Sequence, residues 1–516
     1  METESPNKKE KSFFRVKLEE IFGIDLRSLA VFRIGLGLIV LADLIIRSFD
    51  IKAFYSDEGV LPRSLLLTQY SNIWNFSVYL LNGTVQFQIL LFIISAIFAV
   101  LLIIGYKTRF VTFISWILLL SLQNRNPFLF YLADGVLRMC FFWSMFLPLG
   151  AVYSVDRMLN SSQNPVPKRI LSFASAGFLI QIALVYFYTA ILKTGKEWHS
   201  EGSAIFYALN VDQYATPLAL YLRQFPEFLK FLTHAVLNFE IIAPILLFSP
   251  IFTTFIRTVM AIGICAMIHC FGLCLTLGLF PWVCTVAMIP FLPTKICERI
   301  SSIKSISKIN IISQNYLSKI IEKLPHCPVF VNVSKPVNYL AGLFLIYILC
   351  WNMWSLADKY KMPDQFYWIG PVLRIDQKWD MFAPNPYKID GWYVIPGQLF
   401  DGSEIDLFRD SAPVTFEKPK LVSKLYKNMR WCGFFMKMWD LQDMTQCLRY
   451  AKTLCIDWNN THKGDSRLKE FQIYYMREPT VLDGTEVKPE KVLFWQHYCY
   501  CDPGIEDCKN KKYDNL

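Results

Sequence analysis

Histidine is rare in this chain: six in 516 residues, too few for a multi-histidine haem or metal relay, and no metal site is expected. The chain also lacks a P-loop, a Gly-x-Ser-x-Gly elbow, a His-Glu-x-x-His pair and a dinucleotide-binding fingerprint. Those absences remove the commonest nucleotide-binding, hydrolase and zinc-protease readings. There is no repeat with a period of roughly 20–50 residues and no low-complexity tract. No nucleic-acid module is present either, so no nucleic-acid partner is expected. Residues 1–11 are polar and charged, and a cleavable signal peptide is not expected. What the chain has in excess is apolar surface: 54% hydrophobic residues, among them 42 Phe. That composition belongs to a polytopic membrane protein with the lipid bilayer as its first partner. The net charge of +10 then reads as basic loops kept in the cytoplasm.

A helix needs about 20 apolar residues to cross a hydrocarbon core about 30 Å thick. Nine stretches are candidates: 29–46, 87–105, 111–122, 131–149, 171–192, 231–248, 258–277, 279–292 and 339–356. The third and eighth are short, and the eighth reads as tilted, broken or re-entrant. Basic residues cluster in four places: Lys8, Lys9, Lys11, Arg15, Lys17 and Arg27; Lys107 and Arg109; Arg157, Lys168 and Arg169; Lys295, Arg299, Lys304, Lys308, Lys319 and Lys323. Threading nine helices puts all four on one side, which the positive-inside rule makes cytoplasmic. After about residue 358 no run is long enough to span. Residues 391–408, with Asp401-Gly402, read as a β-hairpin, because Asp-Gly supplies the positive φ of a tight turn. Residues 471–476 and 492–497 read as strands, and 421–450 as helical. The expected fold is mainly α: about nine transmembrane helices followed by an extracytoplasmic α+β domain with a β-hairpin. Its parts are a cytoplasmic arm (1–27), a transmembrane domain (28–357) and the extracytoplasmic domain (358–516). That last part holds Cys432, Cys447, Cys455, Cys499, Cys501 and Cys508, and export allows them to oxidise in any of 15 pairings.

Polar residues inside apolar spans are expensive and should face protein or a watery cavity. Arg33, Asp43, Asp134, Arg138, Gln181, Glu240 and His269 are of this kind. Asp134 and Arg138 stand at i,i+4, so a mutual ion pair is the plainer reading and support of a catalytic group the sharper one. For His269 the plainer reading is a hydrogen bond to a neighbouring helix. For Glu240 it is a neutral carboxyl, or one paired with Arg or Lys. Lys193 follows the apolar run 178–192. Low dielectric disfavours a lysine ammonium and makes neutral amine available as a base, while a lysine at a bilayer edge can also simply snorkel to water. Tyr186 and Thr189, seven and four residues earlier, share its helix face.

Several motifs, in this order, resemble the HTTM (horizontally transferred transmembrane) superfamily: Phe32-Arg33-Ile34-Gly35, Tyr55-Ser56-Asp57-Glu58-Gly59-Val60-Leu61-Pro62, Arg125-Asn126-Pro127 before Ala133-Asp134-Gly135-Val136-Leu137-Arg138, and Phe146-Leu147-Pro148-Leu149-Gly150 leading to Tyr153-Ser154-Val155-Asp156. The likeness runs roughly from residue 24 to 497. Three places resemble the vitamin K-dependent γ-carboxylase family more narrowly. Tyr186-Phe187, Lys193 and Trp198 match its base-bearing segment. His269-Cys270, with Gly278, Phe280 and Val283, matches a segment holding a functional histidine. Trp379-Asp380-Met381 precedes a hairpin. The resemblance implies Lys193, His269 and Tyr186 as catalytic candidates, and Glu240 joins them as a carboxyl expected at membrane depth. The resemblance also implies Asn126, Trp198, Arg138 and Asp134 as residues around a cofactor, a reduced quinone such as vitamin K hydroquinone. Asn124-Arg125-Asn126 stands where the carboxylase has Asn-Asn-His, residues 358–378 contain no histidine, and no propeptide-binding region is recognisable. These departures count against glutamate carboxylation. Two functions follow: a membrane enzyme using Lys193 as base on a lipid-soluble, quinol-like molecule, or a non-catalytic membrane protein binding a lipid, peptide or partner protein, for example in maturation of an exported peptide.

Overall fold

The computed structural model describes residues 13–70, 74, 76–160, 166–302, 333–482 and 487–500. Lys8, Lys9, Lys11, Lys304, Lys308, Lys319, Lys323, Cys501 and Cys508 lie outside the described residues. The first two thirds is a helical bundle. Its main elements are α1 (Leu26–Ser48), α2 (Val85–Ile104), α3 (Thr108–Arg125), α4 (Leu132–Ser144), α5 (Phe173–Ile191), α6 (Pro226–Leu246), α7 (Thr253–Cys274), α8 (Phe280–Met288) and α9 (Lys335–Trp354). Local chemistry sets their ends. Asp25 caps α1, its carboxylate accepting from Arg27 N at 2.9 Å. Gly105, at φ +73°, closes α2 in the left-handed conformation that satisfies the last carbonyls. Ser172 and Ser175 form a reciprocal cap on α5.

Among the described residues six helices, α1, α2, α5, α6, α7 and α9, are long and apolar enough to cross a membrane. A seventh span exists if the pair Phe280–Phe291 and Thr294–Ser301, bent by 102°, is taken as one. The count is therefore smaller than the nine expected. The difference lies in α3, α4 and α8. The polar end Gln123-Asn124-Arg125 of α3 is buried in protein. α4 has 13 residues, about 20 Å at 1.5 Å per residue, and is buried along nearly its whole length. Hydropathy alone does not separate such a core helix from a span. The outer faces of the long helices carry exposed Ile93, Ile97, Phe255, Ile262, Leu343 and Ile346, as lipid contact requires. At the bundle's centre Gly177 leaves room for the Trp143 ring, which a Cβ would meet at 2.3 Å.

The C-terminal part holds α10 (Met429–Leu441), α11 (Met444–Thr461) and a five-stranded antiparallel sheet: β1 (Ile389–Val394), β2 (Pro396–Leu399), β3 (Glu404–Asp406), β4 (Leu468–Pro479) and β5 (Glu490–Tyr498). β2 and β3 form the hairpin around Asp401-Gly402, with Gly402 at φ +85°. The long strand β4 pairs with β5 on one side and with β1 and β2 on the other. Cys455 and Cys499 are joined, whereas Cys432 and Cys447 are free and buried. The apolar core runs without a break from Leu44, Phe54, Phe92 and Phe128 of the bundle to Trp392, Phe434, Phe435 and Tyr475 of this part.

The described basic segments converge at one end of the bundle. Arg27 reaches Ser301 Oγ at 3.3 Å, Lys168 pairs with Glu298 at 2.8 Å, Arg169 donates to Glu19 O, and Lys107 N donates to Asp156. The sheet lies at the opposite end, where α1 finishes.

Candidate functional site

Lys193 follows the last turn of α5, its amide donating to Ala190 O at 3.1 Å. The chain then folds back on itself: Trp198 N donates to Gly195 O, and Gly195 N to Pro384 O. This return aims the lysine side chain at α6. Its Nζ lies 2.5 Å from Glu240 Oε2, with the two side chains only 4% and 5% exposed. The Trp198 ring lies over Nζ at 4.2 Å, and its indole N–H donates to Phe382 O at 2.9 Å. The His199 ring bonds Lys193 O at 2.8 Å. A buried charge needs a partner, and here one carboxylate and one aromatic face supply it. Around the pair stand Ala190, Ala204, Leu237 and Phe382, which keep the local dielectric low.

The other expected residues are placed elsewhere. Tyr186 is buried and bonds the Cys284 thiol of α8. Thr189 spends its hydroxyl on Val185 O at 2.7 Å. His269 Nε2 is 2.9 Å from Thr285 Oγ1, and its ring packs edge-on against Trp282, both also on or beside α8. So Lys193, Glu240 and Trp198 come together, while Tyr186 and His269 turn to α8. Asn126 is engaged on both sides: Nδ2 donates to Phe54 O at 3.1 Å and Oδ1 caps the turn Pro127–Leu129 through Phe128 N. Gln181 joins Gln377 at 2.7 Å, which also accepts from Trp379 Nε1 at 2.8 Å.

Asp134 does not pair with Arg138. It bonds Arg47 at 2.8 Å and Arg430, and Asp43 bonds the same two arginines at 2.7 and 2.8 Å. Two carboxylates and two guanidiniums thus close a neutral, buried ring joining α1, α4 and α10. Two arginines from other elements satisfy Asp134 fully, so the single i,i+4 partner loses. Arg138 turns instead to the backbone oxygen and carboxylate of Asp376. Arg47, four residues after Asp43, was detectable as a helical pair; Arg430, 296 residues from Asp134, was not. The sequence also gave no sign of Glu197, a buried acid paired with Lys388 beside the lysine turn.

The turn 379–384 completes the site. Trp379 packs beneath Gln377, while Phe382 and Pro384 hold Trp198 and Gly195. The Trp-Asp-Met segment and the lysine segment, far apart in sequence, are therefore structural neighbours. A family model for the HTTM domain matches residues 23–295, just over half of the 516 residues. The HTTM family is related to vitamin K-dependent carboxylase. No curated protein and no solved structure matches. With several apolar helices fitting an integral membrane protein, and with the domain match covering both Lys193 and Glu240, the chain belongs to the HTTM family.

Proposed function

We propose that this protein is a multi-pass membrane enzyme in which Lys193 is the base toward a lipid-soluble, quinol-like substrate and Glu240 is its charge partner. The observation that carries the reading is the buried, closely paired Lys193–Glu240 unit under the Trp198 ring. The resting unit is the Lys193–Glu240 ion pair under the Trp198 ring. When the shared proton passes to the Glu240 carboxylate, the Lys193 amine so freed takes the proton of a quinol hydroxyl, leaving the quinolate beside the ammonium. Glutamate carboxylation is not part of the proposal, because Asn126 stands where the carboxylase pattern has a histidine and is occupied as a cap. We assign the N-terminus to the cytoplasm and the sheet-bearing part to the other side; the convergence of the basic segments supports this.

A second reading is favoured by the same enclosure: a Lys193 fully engaged by Glu240 and Trp198 can serve as a rivet in a non-catalytic protein that binds a lipid, an exported peptide or a partner protein. The full chain in nanodiscs, supplied with vitamin K hydroquinone, separates the two. The enzyme reading expects loss of quinol with uptake of oxygen, abolished in a Lys193→Met, Glu240→Leu double variant that keeps its melting temperature. Absence of turnover in the native chain, or turnover unchanged in that variant, leaves the rivet reading.

A further inference from the structure

A cavity of about 710 Å³ lies between α3, α4, the last turn of α9 and residues 374–380. Arg138 lines it with a side chain only 5% exposed. One guanidinium nitrogen donates to Asp376 O; Nε and Nη1 have no hydrogen-bond partner among the described residues. The nearest carboxylate, Asp376, is 3.7 Å from Arg138 and is shared with Arg374 at 3.8 Å. Lys378 and Asp380 cancel each other at 2.7 Å. The lining side chains count three cations, Arg138, Arg374 and Lys378, and two carboxylates, Asp376 and Asp380. A buried guanidinium with idle N–H groups is costly, and an oxyanion offers both the acceptors and the charge that it lacks. Gln123 Oε1 and Asn124 Oδ1, buried acceptors without a protein donor, suit a hydroxyl on the same ligand.

The walls are aromatic: Phe130, Trp351, Trp354 and Trp379. Beyond them Tyr367 stacks on Trp351 at 5.6 Å, and Trp368 lies 6.2 Å from Trp74. Trp74, Phe76, Tyr367 and Trp368 are exposed. An exposed tryptophan–tyrosine belt at the end of an apolar helix marks the level of lipid headgroups. The cavity sits at that level, because α9 reaches it with its final turn. We propose that it binds the oxyanion headgroup of a membrane amphiphile, a carboxylate or a phosphate, with Arg138 as anchor and the apolar tail left in the bilayer. The assignment does not depend on whether Lys193 moves a proton.

The test is binding of radiolabelled oleate and dioleoyl phosphatidate to the delipidated full chain in detergent, with methyl oleate and diolein as uncharged controls. Arg138→Gln removes the anchor but also a tie to Asp376. Ser355→Asp, on a half-buried lining residue, adds a fixed negative charge without removing a contact to another element. One anionic ligand per chain is expected, bound roughly tenfold or more weakly in both variants. Binding of oleate alone identifies a fatty carboxylate, and binding of phosphatidate alone a phospholipid headgroup. Equal binding of the uncharged controls, no binding of either anion, or anion binding unchanged in Ser355→Asp overturns the proposal.

Discussion

Individual polar residues in the apolar stretches were visible in the sequence as costly; their partners were not. Lys193 and Glu240 are 47 positions apart, and only the fold sets them 2.5 Å from each other. Asp134 shows the same limit from the other side: its nearest sequence partner, Arg138, loses to Arg47 and Arg430. Local spacing says which groups can meet on one helix, but tertiary competition decides which do. The Lys193–Glu240 pair has a direct energetic consequence. Removing one member strands a charge away from water, at a cost of about 3–5 kcal/mol, whereas removing both leaves no orphan. Lys193→Met and Glu240→Leu should each lower unfolding stability by about that amount, and the double variant by clearly less than their sum. Equilibrium denaturation in mixed micelles checks this, and strictly additive losses would show the pair to be energetically uncoupled.

For whole elements, hydropathy located α1, α2, α5, α6, α7 and α9 within a few residues, because lipid-facing helices must be apolar over their full length. It does not separate α4, a 13-residue helix whose apolar surface is covered by protein, from a lipid-facing span. In the sheet, the hairpin of β2 and β3 was legible from Asp401-Gly402 because turn chemistry is local. The place of β1 was not: β4 pairs with β1 and β2 from some 70–90 positions away, and no local signal specifies that register. β1 also carries a titrating contact. Asp390 accepts from Asp212 N and from the Gln213 side chain at 3.0 Å. Burial first, then the Asp212 carboxylate, pushes the Asp390 carboxyl up to about 7. An unfolded Asp titrates near about 3.9, so the folded state holds its proton more tightly. The stabilisation is full below about pH 4 and is lost as pH rises through about 7. Melting of the native chain should therefore fall relative to Asp390→Asn between pH 4 and 7; a difference independent of pH would contradict this.

Across the whole molecule, the bundle and the sheet-bearing part share one apolar core and the four-charge ring, at the end opposite the described basic segments. The proposed topology makes a simple prediction. In intact cells a Ser411→Cys variant should react with an impermeant maleimide and a Ser302→Cys variant should not; the reverse pattern would invert the assignment. The same closed architecture buries Lys193 and Glu240, and the proposed role of Lys193 as a base rests on that burial. The most direct measurement is the protonation of Lys193 itself: ¹⁵N-lysine-labelled full chain in nanodiscs, with the Nζ signal identified by its loss in Lys193→Met. The account predicts that adding vitamin K hydroquinone shifts the Lys193 Nζ signal, a change that Glu240→Leu abolishes. A Lys193 signal unmoved by the quinol would contradict it.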